Sequence, residues 1–294
     1  MRLRLSLLAL ALLLPACSAL TPPRAAPVPD APPVPAPAPV AAAPVVKGAN
    51  DPRLLATLYV QQAEEARRAA EQAFALAALR LPDALRKTGS AAPLEQPDGG
   101  KGKPPAVVFD VDETVLDNSP YQARAILAGE RFTAPTWDQW VSEKKAAAIP
   151  GAPGFVAALR KAGVRPVFVT NRACAPRPDR PEEDCPQKAD TIANLRATGF
   201  GEVPPEDLLL YKEQGWTADK SKRRAAVAAK YRIVMLVGDQ LGDFVDVPRT
   251  ADRTARRTLA DAGQFSTRWV MVPNPMYGGW ADSLPDPVAA LRVD

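Results

Sequence analysis

The stretch that decides the fold begins at Ala106, ends at Tyr121 and reads A-V-V-F-D-V-D-E-T-V-L-D-N-S-P-Y. Its first four residues are apolar and rich in valine, which predicts a short buried β-strand ending at Phe109. Two carboxylates, Asp110 and Asp112, follow this strand directly. Because ligands of open α/β sheets bind beyond the carboxyl ends of the strands, these two aspartates are the first candidate functional residues.

Beyond this stretch, the chain alternates between short apolar runs and segments with helical patterns. Strands separated by helices predict an α/β fold, with a mostly parallel sheet and helices on both of its faces. The predicted strands are 106–109, 165–169, 208–211, 233–237 and 269–272. The predicted helices between them lie near 152–162, 187–198 and 219–230.

Two further helical regions lie outside this alternation. Residues 120–150 interrupt it and carry Trp137 and Trp140 one helical turn apart, so we predict a small helical cap over the sheet. Before the first strand, apolar residues such as Leu55 and Leu58 recur at helical spacing. They predict a helix from 52 to about 80 that packs on the sheet domain.

Polar residues stand at the ends of other predicted strands and at the start of one helix. Singly, each has an ordinary explanation as a turn residue, a solvated side chain or a helix cap. In a parallel sheet, however, the carboxyl ends of the strands meet at one edge, so the ordered set predicts a single site. Its members are Thr170, Asn171 and Arg172 after the second strand, Lys220 at the helix start, and Asp239 and Asp243 after the fourth strand.

The composition limits the chemistry of such a site. The 294 residues contain no histidine, which excludes Ser-His-Asp and Cys-His nucleophile systems and His-ligated zinc or iron. Hydrolysis would have to use carboxylates, Lys, Thr, Ser or a hard metal held by oxygen. The 37 basic residues exceed the 33 acidic ones by only four, and no basic stripe with interleaved aromatics is present. We therefore expect no binding to nucleic acid.

The first fifty residues predict export. Two arginines precede an apolar run too short to span a bilayer, and the sequence L-P-A-C ends at Cys17. We predict a lipoprotein signal peptide over 1–16 and a lipidated Cys17 on an Ala/Pro-rich tether over 17–50, followed by the folded domain over 51–294. An ordinary secretory signal is the alternative. Ser18, by analogy with enteric bacteria, favours the outer membrane, with the lipid as the only membrane attachment.

The remaining cysteines, Cys174 and Cys185, lie eleven residues apart in a polar segment. Export to an oxidising compartment permits a disulfide between them. A metal pair is the rival hypothesis, but no histidine and no further cysteine in this region can complete a zinc site. The disulfide is therefore favoured.

Taken together, the motif at 110–121 and the later strand-end residues resemble the haloacid dehalogenase (HAD) superfamily. The wording of the first motif is similar to its lipoprotein-e branch, the bacterial class C acid phosphatases and 5′-nucleotidases. The resemblance covers roughly 52–285 and includes N-P-M-Y-G-G-W at 274–280. It implies a HAD-like Rossmannoid sheet with flanking helices and a small cap, and Mg²⁺-dependent hydrolysis of phosphomonoesters.

The residue types fit that chemistry. Phosphate-ester hydrolysis needs a nucleophile, a proton donor and positive charge around the transferring group. Asp110 is the predicted nucleophile, and Asp112 the predicted acid and base, as its family counterpart is thought to be. The residues expected at the phosphate oxygens are Thr170, Asn171 and Lys220, with Lys222 as the alternative lysine.

A cation is expected because several carboxylates would otherwise repel a phosphate ester. Mg²⁺ prefers oxygen ligands, which Asp110, Asp239 and the backbone carbonyl of Asp112 would supply. In the family, the carboxylate matching Asp243 supports the metal through water. Arg172 is left open between a contact to substrate and a pair with a carboxylate.

The substrate is predicted from aromatic residues. Trp137, Trp140, Tyr277 and Trp280 can stack a planar base or simply pack in the core. The family resemblance favours Trp137 and Tyr277 as the stacking residues, so nucleoside monophosphates are the expected substrates. Assembly as a homodimer is a separate expectation. The rival hypotheses are a phosphatase or phosphotransferase for sugar phosphates or lipids, and a non-catalytic surface lipoprotein that binds a small ligand.

Overall fold

The apolar runs predicted as strands form one parallel sheet, so the predicted α/β fold is confirmed. The computed structural model describes residues 48–248, 251–284 and 286–293. The signal peptide, Cys17 and almost all of the tether lie outside these residues. Within them, the sheet has five strands, all paired in parallel. Their spatial order is β5 (Leu208–Tyr211), β4 (Arg165–Ala173), β1 (Pro105–Phe109), β6 (Arg232–Gly238) and β7 (Trp269–Met271).

Successive side chains of a strand point to opposite faces of the sheet, and here helices cover the apolar side chains on both faces. Phe109 packs on one face against Phe155 and Phe168, with ring centroids 5.9 and 5.7 Å apart. Val108 lies in the core of the other face. The first face is covered by α2 (Glu64–Arg86), α5 (Ala152–Lys161) and α6 (Pro186–Leu195), and the second by α7 (Ser221–Lys230). The short helices α8 (Arg253–Asp261) and α9 (Gly279–Asp282) contain no fully buried residue of their own.

The N-terminal helical region is two helices, so the prediction of one helix from 52 to about 80 is wrong. α1 (Leu54–Gln62) is followed by Ala63, whose backbone is extended with φ −82° and ψ 128°, and α2 begins at the next residue. The two helices have different partners: α1 lies against the cap, whereas α2 lies against α5 and the sheet. Leu55 and Leu58 of α1 are exposed, contrary to expectation.

The predicted cap region contains α3 (Ser119–Ala128) and α4 (Ala134–Glu143). A two-stranded antiparallel ribbon, β2 (Leu116–Asp117) with β3 (Ala147–Ala148), joins the two ends of this insertion. We call residues 119–146 the cap. Among the described residues, no helix is both long enough and apolar enough to cross a bilayer.

Candidate active site

Three buried carboxylates meet at the carboxyl edge of the sheet. Asp110 follows β1, Asp239 follows the adjacent strand β6, and Asp243 ends the short helical turn after it. One oxygen of each lies within 4.8 Å of the others. The parallel pairing of β1 with β6 brings Asp110 and Asp239 together, although 128 residues separate them in the chain.

Two polar side chains hold these carboxylates in place. The Thr114 hydroxyl lies 3.2 Å from Asp110 Oδ2 and 3.0 Å from Asp239 Oδ1. A hydroxyl has one proton, so it donates to one of the two carboxylates at a time. Asn274, in the loop after β7, donates from Nδ2 to Asp239 Oδ2 at 2.9 Å. The cluster is therefore oriented from two sides.

Lys220 is the cation of this cluster. Its Nζ contacts Asp110 Oδ1 and lies 2.7 Å from Asp243 Oδ1. Burial alone would lower the pKa of Lys220, but the charges of Asp110 and Asp243 raise it above its ordinary value. The ammonium is therefore retained. Lys222, the alternative lysine, is exposed to solvent.

The cluster carries more negative than positive charge. If all three carboxylates were ionised, their charge would exceed that of the single ammonium by two. Burial, together with the charges of Asp243 and Asp112, raises the pKa of Asp110 to about 6. Burial and the charges of Asp243 and Asp110 raise the pKa of Asp239 well above its ordinary value. A divalent cation with oxygen ligands would neutralise this excess, so the donor set fits Mg²⁺.

Asp243 also has a structural role. Its Oδ2 accepts hydrogen bonds from the backbone N–H groups of Asp239 (3.1 Å) and Gln240 (2.9 Å). A Cβ at Gly238 would lie only 2.4 Å from the Asp243 side chain, so glycine is required there. Because Oδ1 contacts Lys220, both oxygens of Asp243 already have partners. The oxygens of Asp110 and Asp239 have partners as well, so an indirect contribution of Asp243 to a metal site stays a prediction.

Asp112 lies outside the carboxylate cluster, in a set of hydrogen-bond donors. Its carboxylate accepts bonds from Arg172 Nη2 at 2.8 Å and Nε at 3.0 Å, and from Thr170 Oγ1 at 3.1 Å. Asn118 Nδ2 donates to it at 3.0 Å. The question left open for Arg172 is thus answered: it pairs with a carboxylate. Whether the backbone carbonyl of Asp112 binds metal stays a prediction.

The length of β4 explains why the sequence alone did not decide between these two roles of Arg172. The strand continues to Ala173, so Thr170, Asn171 and Arg172, which were predicted to follow the strand, belong to it. Its pairing with β5 is irregular between Thr170 and Ala173. Thr170 and Arg172 are buried, whereas Asn171 between them is exposed, with its Oδ1 accepting a bond from Arg223 at 2.7 Å. The Asn171 side chain is therefore bonded to Arg223, whereas its neighbours Thr170 and Arg172 contact Asp112.

The two cap tryptophans differ in position. Trp140 is buried and donates from Nε1 to Asn118 Oδ1 at 2.8 Å, so it is a core residue that orients Asn118. Trp137 is half-buried and packs edge-on against Tyr121, with centroids 5.0 Å apart. The guanidinium carbon of Arg172 lies 5.9 Å from the Trp137 ring centroid. Trp137 therefore lies beside the Asp112 part of the site.

Tyr277 lies three residues after Asn274, the partner of Asp239. It is half-buried in the loop that begins with Asn274, and the backbone of Gly279 donates to Gln240 Oε1 at 3.2 Å. This bond and the Asn274–Asp239 bond fix both ends of the loop. Trp280 is 46% exposed.

Three residues of the site were not assigned a role from the sequence: Thr114, Asn118 and Asn274. Asn274 had a usable signal, because it follows a predicted strand as Asp110 and Asp239 do. Thr114 and Asn118 lie in the first motif, but their contacts depend on how the chain turns there. Glu113 occupies that turn with φ +62° and is buried, and Asn118 N donates to its Oε1 at 2.8 Å.

Cys174 and Cys185 are joined in a disulfide, with Cα atoms 4.7 Å apart. The bond connects the residue after β4 with the residue before α6. It therefore closes residues 174–185 into a loop beside the site, which we call the disulfide loop.

This combination of sheet, cap and carboxylate cluster defines a HAD-type hydrolase. The sequence profile of HAD superfamily subfamily IIIB (acid phosphatase) matches residues 55–280, and the chain belongs to this family.

Solved and curated proteins support this assignment. The class C acid phosphatase from Bacillus anthracis is similar at 31% identity with a TM-score of 0.65, over 79% of this chain and 87% of that one. A tungstate-bound structure of that enzyme gives a TM-score of 0.67, also at 31% identity, over 81% and 90% of the two chains. Acid phosphatase 1 of Solanum lycopersicum is 29% identical over 58% of this chain and 57% of its own length. A stem 31 kDa glycoprotein of Glycine max is 27% identical over 58% of each.

Proposed function

We propose that the protein hydrolyses phosphomonoesters with Mg²⁺, through a phospho-aspartate intermediate on Asp110. The observation that carries this proposal is the position of the Asp110 carboxylate. It lies at the end of the central strand, within the carboxylate cluster and against Lys220. A nucleophile beside a cation and a metal site is the arrangement that phosphoryl transfer requires. The tungstate in the Bacillus anthracis enzyme, an oxyanion of phosphate-like shape, is consistent with this assignment.

The proposed reaction has two steps. An Asp110 oxygen attacks phosphorus and the ester oxygen leaves, taking a proton from Asp112, which has to enter this step in its protonated form. Water then attacks the phosphorus of the acyl phosphate, Asp112 takes a proton from it, and Asp110 is regenerated with release of phosphate. Lys220 and the Thr170 hydroxyl bind phosphate oxygens, and for this Thr170 turns its single proton from Asp112 to the phosphate. Mg²⁺, held by Asp110, Asp239 and the Asp112 carbonyl, would neutralise charge on the phosphoryl group.

Removing divalent metal tests the proposal. We expect p-nitrophenyl phosphate hydrolysis in Mg²⁺ to fall by about 100-fold or more with EDTA, and to return when Mg²⁺ is added in excess, because the excess negative charge would otherwise repel the ester. Full activity in EDTA after prolonged dialysis would contradict metal dependence. Hydrolysis of no phosphate ester with any divalent metal would instead support the non-catalytic hypothesis.

The carboxylate cluster also predicts how metal and pH act on stability. The raised pKa values of Asp110 and Asp239 in the metal-free chain mean that the folded state holds these protons more tightly than the unfolded state. The contribution of this cluster to the stability of the metal-free protein should therefore fall as pH rises from about 4 toward 6. Mg²⁺ competes with the same protons. We expect MgCl₂ to raise the melting temperature more at about pH 7 than at about pH 4.5, whereas equal shifts would contradict this account.

Nucleoside monophosphates are the proposed substrates, with Trp137 as the base-stacking residue. Trp137 lies next to Arg172 and hence to the proton donor Asp112, on the side where the leaving group departs. We expect Trp137→Ala to lower the preference for AMP over glycerol phosphate by about fivefold or more, measured as a ratio of kcat/KM values. An unchanged ratio would remove Trp137 from the substrate site. A wild-type preference for sugar phosphates would favour the rival substrate class.

We further propose that Cys17 is lipidated and holds the protein at the outer membrane. The support is the L-P-A-C pattern after a short apolar run. Radiolabelled palmitate should enter the wild type and not Cys17→Ser, which should leave the membrane fraction. Equal labelling of the two proteins would refute lipidation at Cys17.

A further inference from the structure

Arg177 is a buried arginine that the proposed reaction does not use. It lies in the disulfide loop, and its side chain is only 6% exposed. Its guanidinium holds Asp138 of the cap helix α4 with two bonds, Nε to Oδ2 at 2.7 Å and Nη2 to Oδ1 at 2.8 Å. Nη2 also donates to the backbone carbonyl of Asp138 at 3.2 Å. The loop thus contacts both the side chain and the backbone of one cap residue.

The other end of this contact is anchored to the body of the protein. Arg177 Nη1 pairs with the buried Asp190 of α6. Gln187, also on α6, donates to Asp138 Oδ1 at 2.9 Å and accepts from the backbone N–H of Ala175 at 3.1 Å. Burial tends to raise the pKa of Asp138, but the bonds from Arg177 and Gln187 lower it below its ordinary value. Asp138 is therefore ionised in a fixed position.

This anchoring bears on the substrate site through the next residue. Asp138 directly follows Trp137, and Trp137 packs beside Arg172, which pairs with Asp112. Arg172 and Cys174 both lie at the end of β4, so the disulfide loop starts where the Asp112 partners end. A fixed Asp138 consequently fixes the distance between the Trp137 ring and the reacting groups.

We propose that Arg177 is a positioning residue that makes the enzyme selective for phosphomonoesters with a planar leaving group, by holding Trp137 through Asp138. The disulfide between Cys174 and Cys185 keeps the loop closed so that Arg177 stays aimed at the cap. This inference rests on the proposed function, since it needs Trp137 to stack on the substrate. Esters without a ring gain nothing from this arrangement.

The test compares two substrates, p-nitrophenyl phosphate and glycerol 1-phosphate, on the full-length protein with Mg²⁺. For Arg177→Met we expect KM for p-nitrophenyl phosphate to rise by about fivefold or more, with a smaller change in kcat. KM for glycerol 1-phosphate should stay within about twofold. Asp138→Asn, which preserves side-chain shape, should shift KM in the same direction. KM does not depend on the folded fraction of the enzyme. Partial misfolding therefore cannot raise KM for p-nitrophenyl phosphate while leaving KM for glycerol 1-phosphate unchanged.

Arg180→Met is the matched control. Arg180 lies in the same disulfide loop and pairs with Glu183 and with Asp190, the residue that also anchors Arg177. Neither partner belongs to the cap, and Arg177 keeps its own bonds to Asp138 in this variant. Its two KM values should keep the wild-type ratio. The double variant Cys174→Ser with Cys185→Ser should resemble Arg177→Met, because the loop is then open.

Two results would overturn the inference. One is a rise of both KM values by the same factor in Arg177→Met, which would show a general structural role. The other is a wild-type ratio of the two KM values in Arg177→Met, if Trp137→Ala does change that ratio. If Trp137→Ala leaves the ratio unchanged as well, the stacking proposal itself has failed.

Discussion

Replacing Asp110 with asparagine is expected to lower kcat for p-nitrophenyl phosphate by about 10⁴-fold or more, because an amide cannot form the acyl phosphate. The fold should survive, since asparagine has nearly the same shape. The substitution also removes one of three buried negative charges that share a single ammonium. In the absence of metal, the variant should therefore melt at or above the wild-type temperature. Initial rates at saturating substrate and a thermal melt in EDTA measure both effects.

Asp117→Asn provides the control in the same motif. Asp117 Oδ1 accepts a hydrogen bond from the backbone N–H of Ser119 at the start of α3. Losing part of this bond affects the cap helix and leaves the nucleophile intact, so kcat should stay within about threefold of wild type. If Asp110→Asn instead retained more than about a tenth of the wild-type rate, the nucleophile would have to be another residue.

The second large effect is expected for Asp112→Asn, with a loss of about 10²- to 10⁴-fold in steady-state kcat. The two chemical steps should not suffer equally. p-Nitrophenolate is a good leaving group and needs little help from a proton donor, whereas attack of water on the acyl phosphate needs a base. The phosphorylated Asp110 should therefore accumulate, giving a burst of about one equivalent of p-nitrophenolate before a slow linear phase.

Rapid quenching followed by mass spectrometry checks this result, since the protein should carry one phosphoryl group during the slow phase. A slow linear reaction with unmodified protein would contradict a role for Asp112 in the second step. The variant also leaves the buried Arg172 guanidinium facing a neutral amide. We therefore expect a lower melting temperature. Hydrolysis of glycerol phosphate measured below that temperature then reports the kinetic effect without unfolding.

The central part of the site followed from the sequence because topology gathers strand ends. Asp110 and Asp239 were identified as residues directly after apolar runs, and parallel pairing of β1 with β6 places them together. Lys220 was identified by its position at the start of a helix, and it contacts Asp110. The position of a residue relative to a strand or helix end is a local property, which a single sequence carries.

Partnerships between distant side chains did not follow. Periodicity ranked Trp137 and Trp140 equally, but only the fold decides that Trp140 is buried against Asn118 while Trp137 stays half-exposed. The break at Ala63 has the same origin, since no glycine or proline marks it and the separate contacts of α1 and α2 coincide with it. The role of Arg172 depended on β4 being longer than its apolar run. Such features are set by packing between elements, which local patterns do not encode.

The ribbon of β2 and β3 has a consequence for how this enzyme can diversify. Leu116 pairs with Ala148, and the backbone of Ile149 donates to the Val115 carbonyl at 2.9 Å, so the chain leaves and re-enters the catalytic domain at one point. Exchange of the whole cap between relatives would therefore leave the two junctions adjacent and the backbone around Asp110 in place. It would replace Trp137 with another residue, while Trp140 would have to be kept as the partner of Asn118.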